Sequence, residues 1–280
     1  MDFLVRIVIW LNAVANVLGR WLLAPIGVLP GWLSVTLVSA VTGVLMLMVY
    51  KYTSNQRAIK QIQAGIKANL LALKLFPDSA STALRAQGRI VVGALRLLRH
   101  AVVPIMVMLV PVCLLLVQLA LWYEFRPLQV GENAVVTLRL TGDLESYWPD
   151  VKLAPSNAIK TMAGPVRVTR RREVCWNIQA RSNGHHRLVF QMGEWSAEKE
   201  LAIGDGFMRV SGQRPGWLWS NALQHPCEKP FGPESPFQSI AIDYPQRSWW
   251  PGGGNAWAGY WFAGAMIAAF CFRRMLGVNI

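Results

Sequence analysis

The stretch from Trp32 to Tyr50, WLSVTLVSAVTGVLMLMVY, decides the fold class of this chain. It contains no charged residue, begins beside Pro30-Gly31 and ends at Lys51. About 20 apolar residues are needed to cross a hydrocarbon core of ~30 Å. The aromatic residues at its two ends stand where membrane-interface anchors are common. Residues 31–50 are therefore predicted to form the first transmembrane helix.

Two further apolar stretches fit a membrane crossing. Residues 101–123 end in Trp122-Tyr123 and hold Pro104 and Pro111, which neighbouring helices can accommodate within a membrane. Residues 255–272 form the third and shortest stretch. The chain is 53% hydrophobic and 15% charged, which excludes an ordinary soluble domain of this size. We therefore expect an α-helical membrane protein with three transmembrane helices.

The basic residues predict the orientation of these helices. Much of the formal net charge of +13 comes from residues 51–100, where nine Lys and Arg accompany the single Asp78. Arg273-Arg274 follow the third stretch. Basic segments beside membrane spans usually stay in the cytoplasm. The expectation is a multi-pass protein of the inner (cytoplasmic) membrane, with the tail 273–280 in the cytoplasm and residues 124–250 on the extracytoplasmic side.

The opening segment, residues 1–30, is apolar but interrupted by polar residues. These are Arg6, Asn12, Asn16, Arg20 and Pro25. Helical spacing gathers the two arginines and two asparagines on one broad face, which favours an amphipathic helix in the outer membrane interface over an additional span. A cleaved signal peptide ending near Ala13-Val14-Ala15 is the third alternative.

Residues 51–100 are predicted to form a basic cytoplasmic hairpin of two helices. Pro77-Asp78-Ser79 ends one arm and begins the turn. Apolar residues recur at spacings of three and four in both arms, as in a short coiled coil. They are Ile59, Ile62, Ile66, Leu70 and Leu73 in the first arm, and Leu84, Gly88, Val91, Leu95 and Leu98 in the second. We expect these two stripes to form the seam between the arms.

The cations of the hairpin are the first group of candidate functional residues. They are Arg57, Lys60, Lys67, Lys74, Arg85, Arg89, Arg96 and Arg99. One interpretation is a solvated face whose charges only fix the topology. The other is a surface that meets anionic lipid head groups, ribosomal RNA or an emerging polypeptide.

Polar residues within the spans are the second group. Ser34, Thr36, Ser39 and Thr42 follow one another along the first span, and Gln118 lies in the second. Polar groups inside a bilayer are costly and usually face protein or water. Each hydroxyl can bond to a carbonyl of its own helix, and together the five residues can line a mildly polar groove.

Residues 124–250 have the pattern of a β-rich domain. Short alternating runs at residues 136–140, 166–168 and 187–190 are separated by Gly, Pro, Asn and Asp. Six or seven such strands predict a small all-β sandwich of immunoglobulin-like character. Gly252-Gly253-Gly254 is the expected hinge back to the membrane.

The sequence holds no catalytic motif of diagnostic spacing, so we expect neither an enzyme nor a bound cofactor or metal. Cys175 and Cys227 are a possible disulfide if the β-domain lies in an oxidising compartment, and two buried thiols are the alternative. A zinc site with His225 and His185-His186 is a weaker alternative, because no paired CxxC or HxxxH spacing supports it. His185-His186 are expected in an exposed turn.

The layout of residues 1–123 and 255–274 resembles that of the YidC-type insertase superfamily, above all its three-span members. The resemblance rests on the segment from Lys51 to Arg57, which leaves the first span, and on the basic hairpin up to Arg99. It implies a protein that helps nascent membrane proteins from the ribosome to enter the bilayer through a shallow groove, with the hairpin receiving the client. The chain departs from the family by its large β-domain and by the lack of an Arg in the first span.

A second function fits the same sequence. An envelope scaffold or sensor would bind a partner protein through residues 124–250, because sandwich domains commonly bind proteins. An insertase is expected to fail when hairpin cations or groove hydroxyls are removed, whereas a scaffold is expected to fail when the β-domain is deleted.

Overall fold

The computed structural model describes residues 2–23, 29–75, 80–142, 148–247 and 256–278 of the chain. These residues belong to two compact units. The first unit comprises residues 1–34 and 114–258, and the second comprises residues 35–113 and 259–280. The predicted turn at residues 77–79 and the predicted hinge at residues 252–254 lie outside the described residues.

The helices follow the apolar stretches of the sequence. They are α1 (Asp2–Leu23), α2 (Gly31–Thr53), α3 (Gln56–Leu75), α4 (Ala80–Tyr123), a short α5 (Trp219–Gln224) and α6 (Ala256–Phe272). Three of them, α1, α2 and the part of α4 from Leu84 to Tyr123, are long and apolar enough to cross a membrane. The α6 helix is apolar throughout but has only 17 residues.

The α4 helix is continuous over 44 residues and includes both Pro104 and Pro111. The second arm of the predicted hairpin and the predicted second span are therefore one helix of about 66 Å, at 1.5 Å per residue. Asn55 caps the N-terminus of α3, because its side-chain Oδ1 accepts a hydrogen bond from the Ala58 N–H at 3.1 Å. Such a cap satisfies one of the N–H groups that the first turn of a helix leaves without a partner.

The β-domain of the first unit is a two-sheet antiparallel structure, as the sequence predicts. Its strands are β1 (Asn133–Leu140), β2 (Lys152–Leu153), β3 (Ile159–Val168), β4 (Glu173–Ala180), β5 (Gly184–Met192), β6 (Trp195–Ile203), β7 (Gln213–Arg214) and β8 (Phe237–Ile242). One sheet has the order β3-β4-β1-β8-β7 and the other the order β2-β5-β6. The β5–β6 hairpin closes at Gly193-Glu194, where Gly193 supplies the positive φ that a two-residue turn requires.

Alternation along the strands builds the core between the two sheets. In β4 the residues Val174, Trp176 and Ile178 are buried, and in β5 the residues Leu188 and Phe190 are buried. All five belong to one hydrophobic cluster that includes residues of both sheets. His185 and His186 lie within β5, so their predicted turn position is wrong.

Candidate functional site

The arms of the hairpin, both in the second unit, meet along a stripe that differs from the predicted one. In α4 the covered residues are Ala86, Ile90, Gly93 and Leu97, and a Cβ atom added at Gly93 would lie 2.7 Å from Ile66 Cγ1 of α3. Gly93 therefore leaves room for the side chain of Ile66.

The predicted α4 seam is therefore wrong, because it lies on the exposed side of the helix. Its large members Leu84, Val91, Leu95 and Leu98 are 57–69% exposed. On α3 the predicted seam is confirmed in part, since Ile59 is buried and Ile62 and Ile66 are half-buried.

A cleft of about 630 Å³ opens between α3 and α4. Its apolar surface includes Ile62, Ile66 and Val92, and the guanidinium side chains of α4 line it as well. Two glycines, Gly65 and Gly88, widen it, because no atom lies within 4 Å of a Cβ added at either position. The cleft thus combines an aliphatic surface with a cationic one.

The structure brings together three of the predicted contact cations at this cleft, namely Arg85, Arg89 and Arg96. Arg57, Lys60, Lys67 and Arg99 are exposed but do not line it, and the side chain of Lys74 lies outside the described part of the chain. The only acidic residue between positions 51 and 123 is Asp78. No salt bridge joins Arg85, Arg89 or Arg96 to a carboxylate among the described residues.

The polar residues of the predicted groove are mostly engaged in helix packing. In the first unit, Ser34 is fully buried and hydrogen-bonds to Tyr123, the last residue of α4. Gln118 is also buried, donates to Asn16 Oδ1 of α1 at 2.9 Å, and lies against Gly19. Both side chains hold neighbouring helices together.

In the second unit, Ser39 and Thr42 of α2 are buried against α6. The Thr42 hydroxyl accepts a hydrogen bond from Trp261 Nε1 at 3.0 Å, and the Ser39 hydroxyl would collide with a Cβ atom added at Gly264. Apolar surroundings favour such pairing, because an unpaired hydroxyl there is costly. Of the five predicted groove residues only Thr36 is exposed, and the other four are buried, so the polar groove stays a prediction.

The predicted disulfide is not formed, since both cysteines are described as free thiols. Cys175 points away from the core because it alternates with the buried Val174 and Trp176, and its Sγ lies 3.7 Å from Thr137 Oγ1. Cys227 instead donates to Glu200 Oε2 at 3.5 Å, beside β6. Burial raises the pKa of the Cys227 thiol to about 11.

The α1 helix is fixed to the β-domain along one face, a feature that the sequence did not reveal. Asp2 accepts from Trp217 Nε1 at 2.9 Å, and Asn12 donates to the Ala222 carbonyl at 2.6 Å. Asn16 donates to the Pro226 carbonyl at 2.7 Å and accepts from Arg209 at 2.6 Å. These contacts extend over about 21 Å of helix, at 1.5 Å per residue. The opposite face, which includes Phe3, Trp10 and Trp21, is 66–78% exposed at these residues.

A second feature that the sequence analysis missed is a charged pair inside the β-domain. Lys199 is fully buried, and its Nζ donates to Glu228 Oε1 at 2.5 Å and to the Ser211 carbonyl at 2.6 Å. The sequence did contain a signal for this burial, because Lys199 alternates with Ala197 and Leu201 on the inward face of β6. The pair ties the segment after β6 to that strand.

Comparisons with protein-family models, with curated proteins and with solved structures find no match to this chain.

Proposed function

We propose that this chain is an integral membrane protein that assists the insertion or folding of other membrane proteins. The observation that carries the proposal is the cleft between α3 and α4, where Arg85, Arg89 and Arg96 stand beside an aliphatic surface. Because α4 is about twice as long as a hydrocarbon core is thick, its basic half projects beyond the bilayer. A client segment that is apolar and flanked by acidic or carbonyl groups suits such a cleft.

The arrangement of charge supports a cytoplasmic hairpin. Cations beside a span favour the cytoplasm, and the hairpin holds nine of them. In this topology the β-domain is extracytoplasmic. The contacts of α1 along the β-domain support a helix that lies in the membrane interface, since a spanning helix would meet an aqueous domain only near one end.

The test is insertion of a newly translated single-span protein into liposomes that contain the purified chain, measured by protease protection. Replacing Arg85, Arg89 and Arg96 by Gln is expected to lower insertion about ten-fold, as for the loss of about 1.4 kcal/mol of client binding. The matched control replaces Arg57, Lys60 and Lys67 by Gln. It removes three cations from the hairpin but none from the cleft, and it is expected to retain activity.

Equal loss in both variants would mean that the cations act only on topology. No insertion by the unaltered chain would contradict the proposal. A probe for photo-crosslinking placed at Val92 in the cleft is expected to capture translation-dependent clients, whereas a probe at Lys67 on the far side of α3 is not.

One observation favours the second function, a scaffold that binds an envelope protein. β3 is an edge strand of its sheet, and nine of its ten residues are exposed, including Met162 and Val166. An exposed edge can accept a strand from another chain. In one variant the β-domain is replaced by a short linker. If this variant still inserts membrane proteins but no longer supports the protein's role in cells, the result would favour the scaffold.

A further inference from the structure

The side of α4 that faces away from α3 carries an apolar stripe. Its members are Leu84, Val91, Leu95 and Leu98, with Gly88 at the edge that also lines the cleft towards α3. The four large residues are 57–69% exposed, and α3 contacts the opposite side of the helix at Gly93. Such a repeat is the pattern by which one helix packs against another. Among the described residues no element covers it.

A row of arginines accompanies the stripe along its whole length. Arg85, Arg89, Arg96 and Arg99 each follow a member of the stripe by one residue, so they lie on the same flank. All four are exposed. The surface therefore has an aliphatic strip and, beside it, a cationic strip.

The lipid bilayer does not cover the whole stripe. Leu84 lies 17 residues before Ala101, which is about 25 Å along a continuous helix. Beyond the hydrocarbon core, the head-group layer on one side is only about 5–7 Å thick. A helix that continues straight from a membrane span thus carries most of the stripe beyond the lipid.

A second copy of the chain does not suit it either. Two copies would bring arginine rows together, and neither described arm contains an acidic residue to oppose them. Like charges on facing helices disfavour pairing. The complementary occupant is an amphipathic helix whose apolar stripe is flanked by Asp and Glu.

We propose that this face of α4 docks an acidic amphipathic helix of a partner protein. Val91 and Leu95, which are exposed at the centre of the stripe, supply the apolar contacts for the docked helix. The proposal goes beyond membrane-protein insertion, because the docked helix is a cytosolic partner and not a client that enters the bilayer.

The probe is a synthetic helical peptide of about 21 residues, with Leu at heptad spacing and Glu on one flank, which is long enough to cover the 15 residues from Leu84 to Leu98. Its binding to the full chain in nanodiscs of zwitterionic lipid is measured by fluorescence anisotropy. The double variant Val91→Ser/Leu95→Ser is expected to bind at least about ten-fold more weakly, since central apolar contacts dominate such interfaces. The control Leu71→Ser alters a residue of α3 that is also exposed, and it is expected to bind normally.

A further variant addresses charge. Arg85→Gln/Arg99→Gln is expected to weaken binding and to reduce its salt dependence, because it removes cations from the flank. All substituted residues are exposed, and circular dichroism checks that the helices remain.

Three results would overturn the proposal. The first is equal binding of a peptide with the same composition in shuffled order, which would show that charge alone acts. The second is tighter binding of an RNA oligonucleotide that is insensitive to Leu95→Ser, and the third is self-association of the chain that Leu95→Ser abolishes. Retained insertion activity in Val91→Ser/Leu95→Ser would separate this surface from the insertion cleft.

Discussion

In the hairpin of α3 and α4 the seven Lys and Arg side chains that the structure describes are exposed, and neither helix contains an acidic residue, whereas in the β-domain several cations pair with glutamate. Arg126 binds Glu132 at 2.8 Å, and Lys199 binds Glu228 at 2.5 Å with both side chains nearly excluded from solvent. Paired charges of this kind stabilise or specify a fold. Unpaired ones remain available to a membrane surface or a partner.

The two regions also differ in how they use apolar residues. The β-domain buries the large side chains of both sheets in one core. The α4 arm instead buries small residues against α3 and exposes Leu84, Val91 and Leu95. The β-domain thus uses its large apolar side chains and several of its cations inside the fold. The hairpin leaves both kinds of side chain exposed at its surface.

The largest expected effect tests whether the buried charge pair stabilises the β-domain. Lys199→Met leaves the Glu228 carboxylate buried without its cation, so we expect the free energy of unfolding of the β-domain to fall by about 3–5 kcal/mol. Urea unfolding of the full chain in detergent, followed by tryptophan fluorescence, measures it. Lys60→Met in the hairpin is the control and should change stability by less than about 0.5 kcal/mol.

The double variant Lys199→Met/Glu228→Gln removes both charges and is expected to recover part of the loss. If Lys199→Met lowers the free energy of unfolding no more than Lys60→Met does, the buried pair has no structural role. The contrast between the β-domain and the hairpin would then be wrong.

Much of this architecture could be predicted from sequence. Long uncharged apolar runs predicted α2 and the apolar part of α4, both of which are long enough to cross a membrane, because hydrophobic length is a strong signal. The alternation of apolar and polar residues located β1 and β5, whose buried and exposed residues alternate in the structure. Both signals are local, so one sequence is enough to detect them.

The rest depends on contacts between distant residues, which local patterns do not contain. The α4 seam was misassigned because Leu84, Val91, Leu95 and Leu98 form an apolar repeat on the exposed side of the helix, whereas Ile66 of α3 approaches the opposite side at Gly93. The hydroxyls of Ser39 and Thr42 looked like a groove because their partner helix α6 lies more than 200 positions away. The attachment of Asn12 and Asn16 to the segment near Pro226 has the same cause.

A smaller effect is expected at Cys227, a buried thiol of the β-domain. Burial raises the pKa of the Cys227 thiol from 9.0 to about 11, so the folded domain holds it protonated. At pH 8 its alkylation by iodoacetamide is expected to be about 100-fold slower in the folded chain than in urea, since the thiolate is the nucleophile. Mass spectrometry of the labelled peptide measures the rate.

The same shift gives a dependence of stability on pH. A folded-state pKa above the unfolded one stabilises the fold below pH 9, and this contribution is lost as the pH rises from 9 towards 11. Cys227→Ser is expected to remove that part of the dependence. Equal alkylation rates in folded and unfolded chain would show that the thiol is open to solvent.

The smallest effect separates the two glycine positions of α4. Gly88→Ala meets no atom within 4 Å and is expected to stabilise the hairpin by up to about 1 kcal/mol, because Ala favours helix over Gly. Gly93→Ala gains the same propensity but places its Cβ against Ile66, where overpacking costs about 1–3 kcal/mol. Hydrogen exchange of the α3 and α4 amides compares the two variants, and faster exchange is expected only for Gly93→Ala. If both variants slow the exchange equally, the arms do not meet at Gly93, and the outward orientation of Leu84, Val91 and Leu95 loses its structural basis.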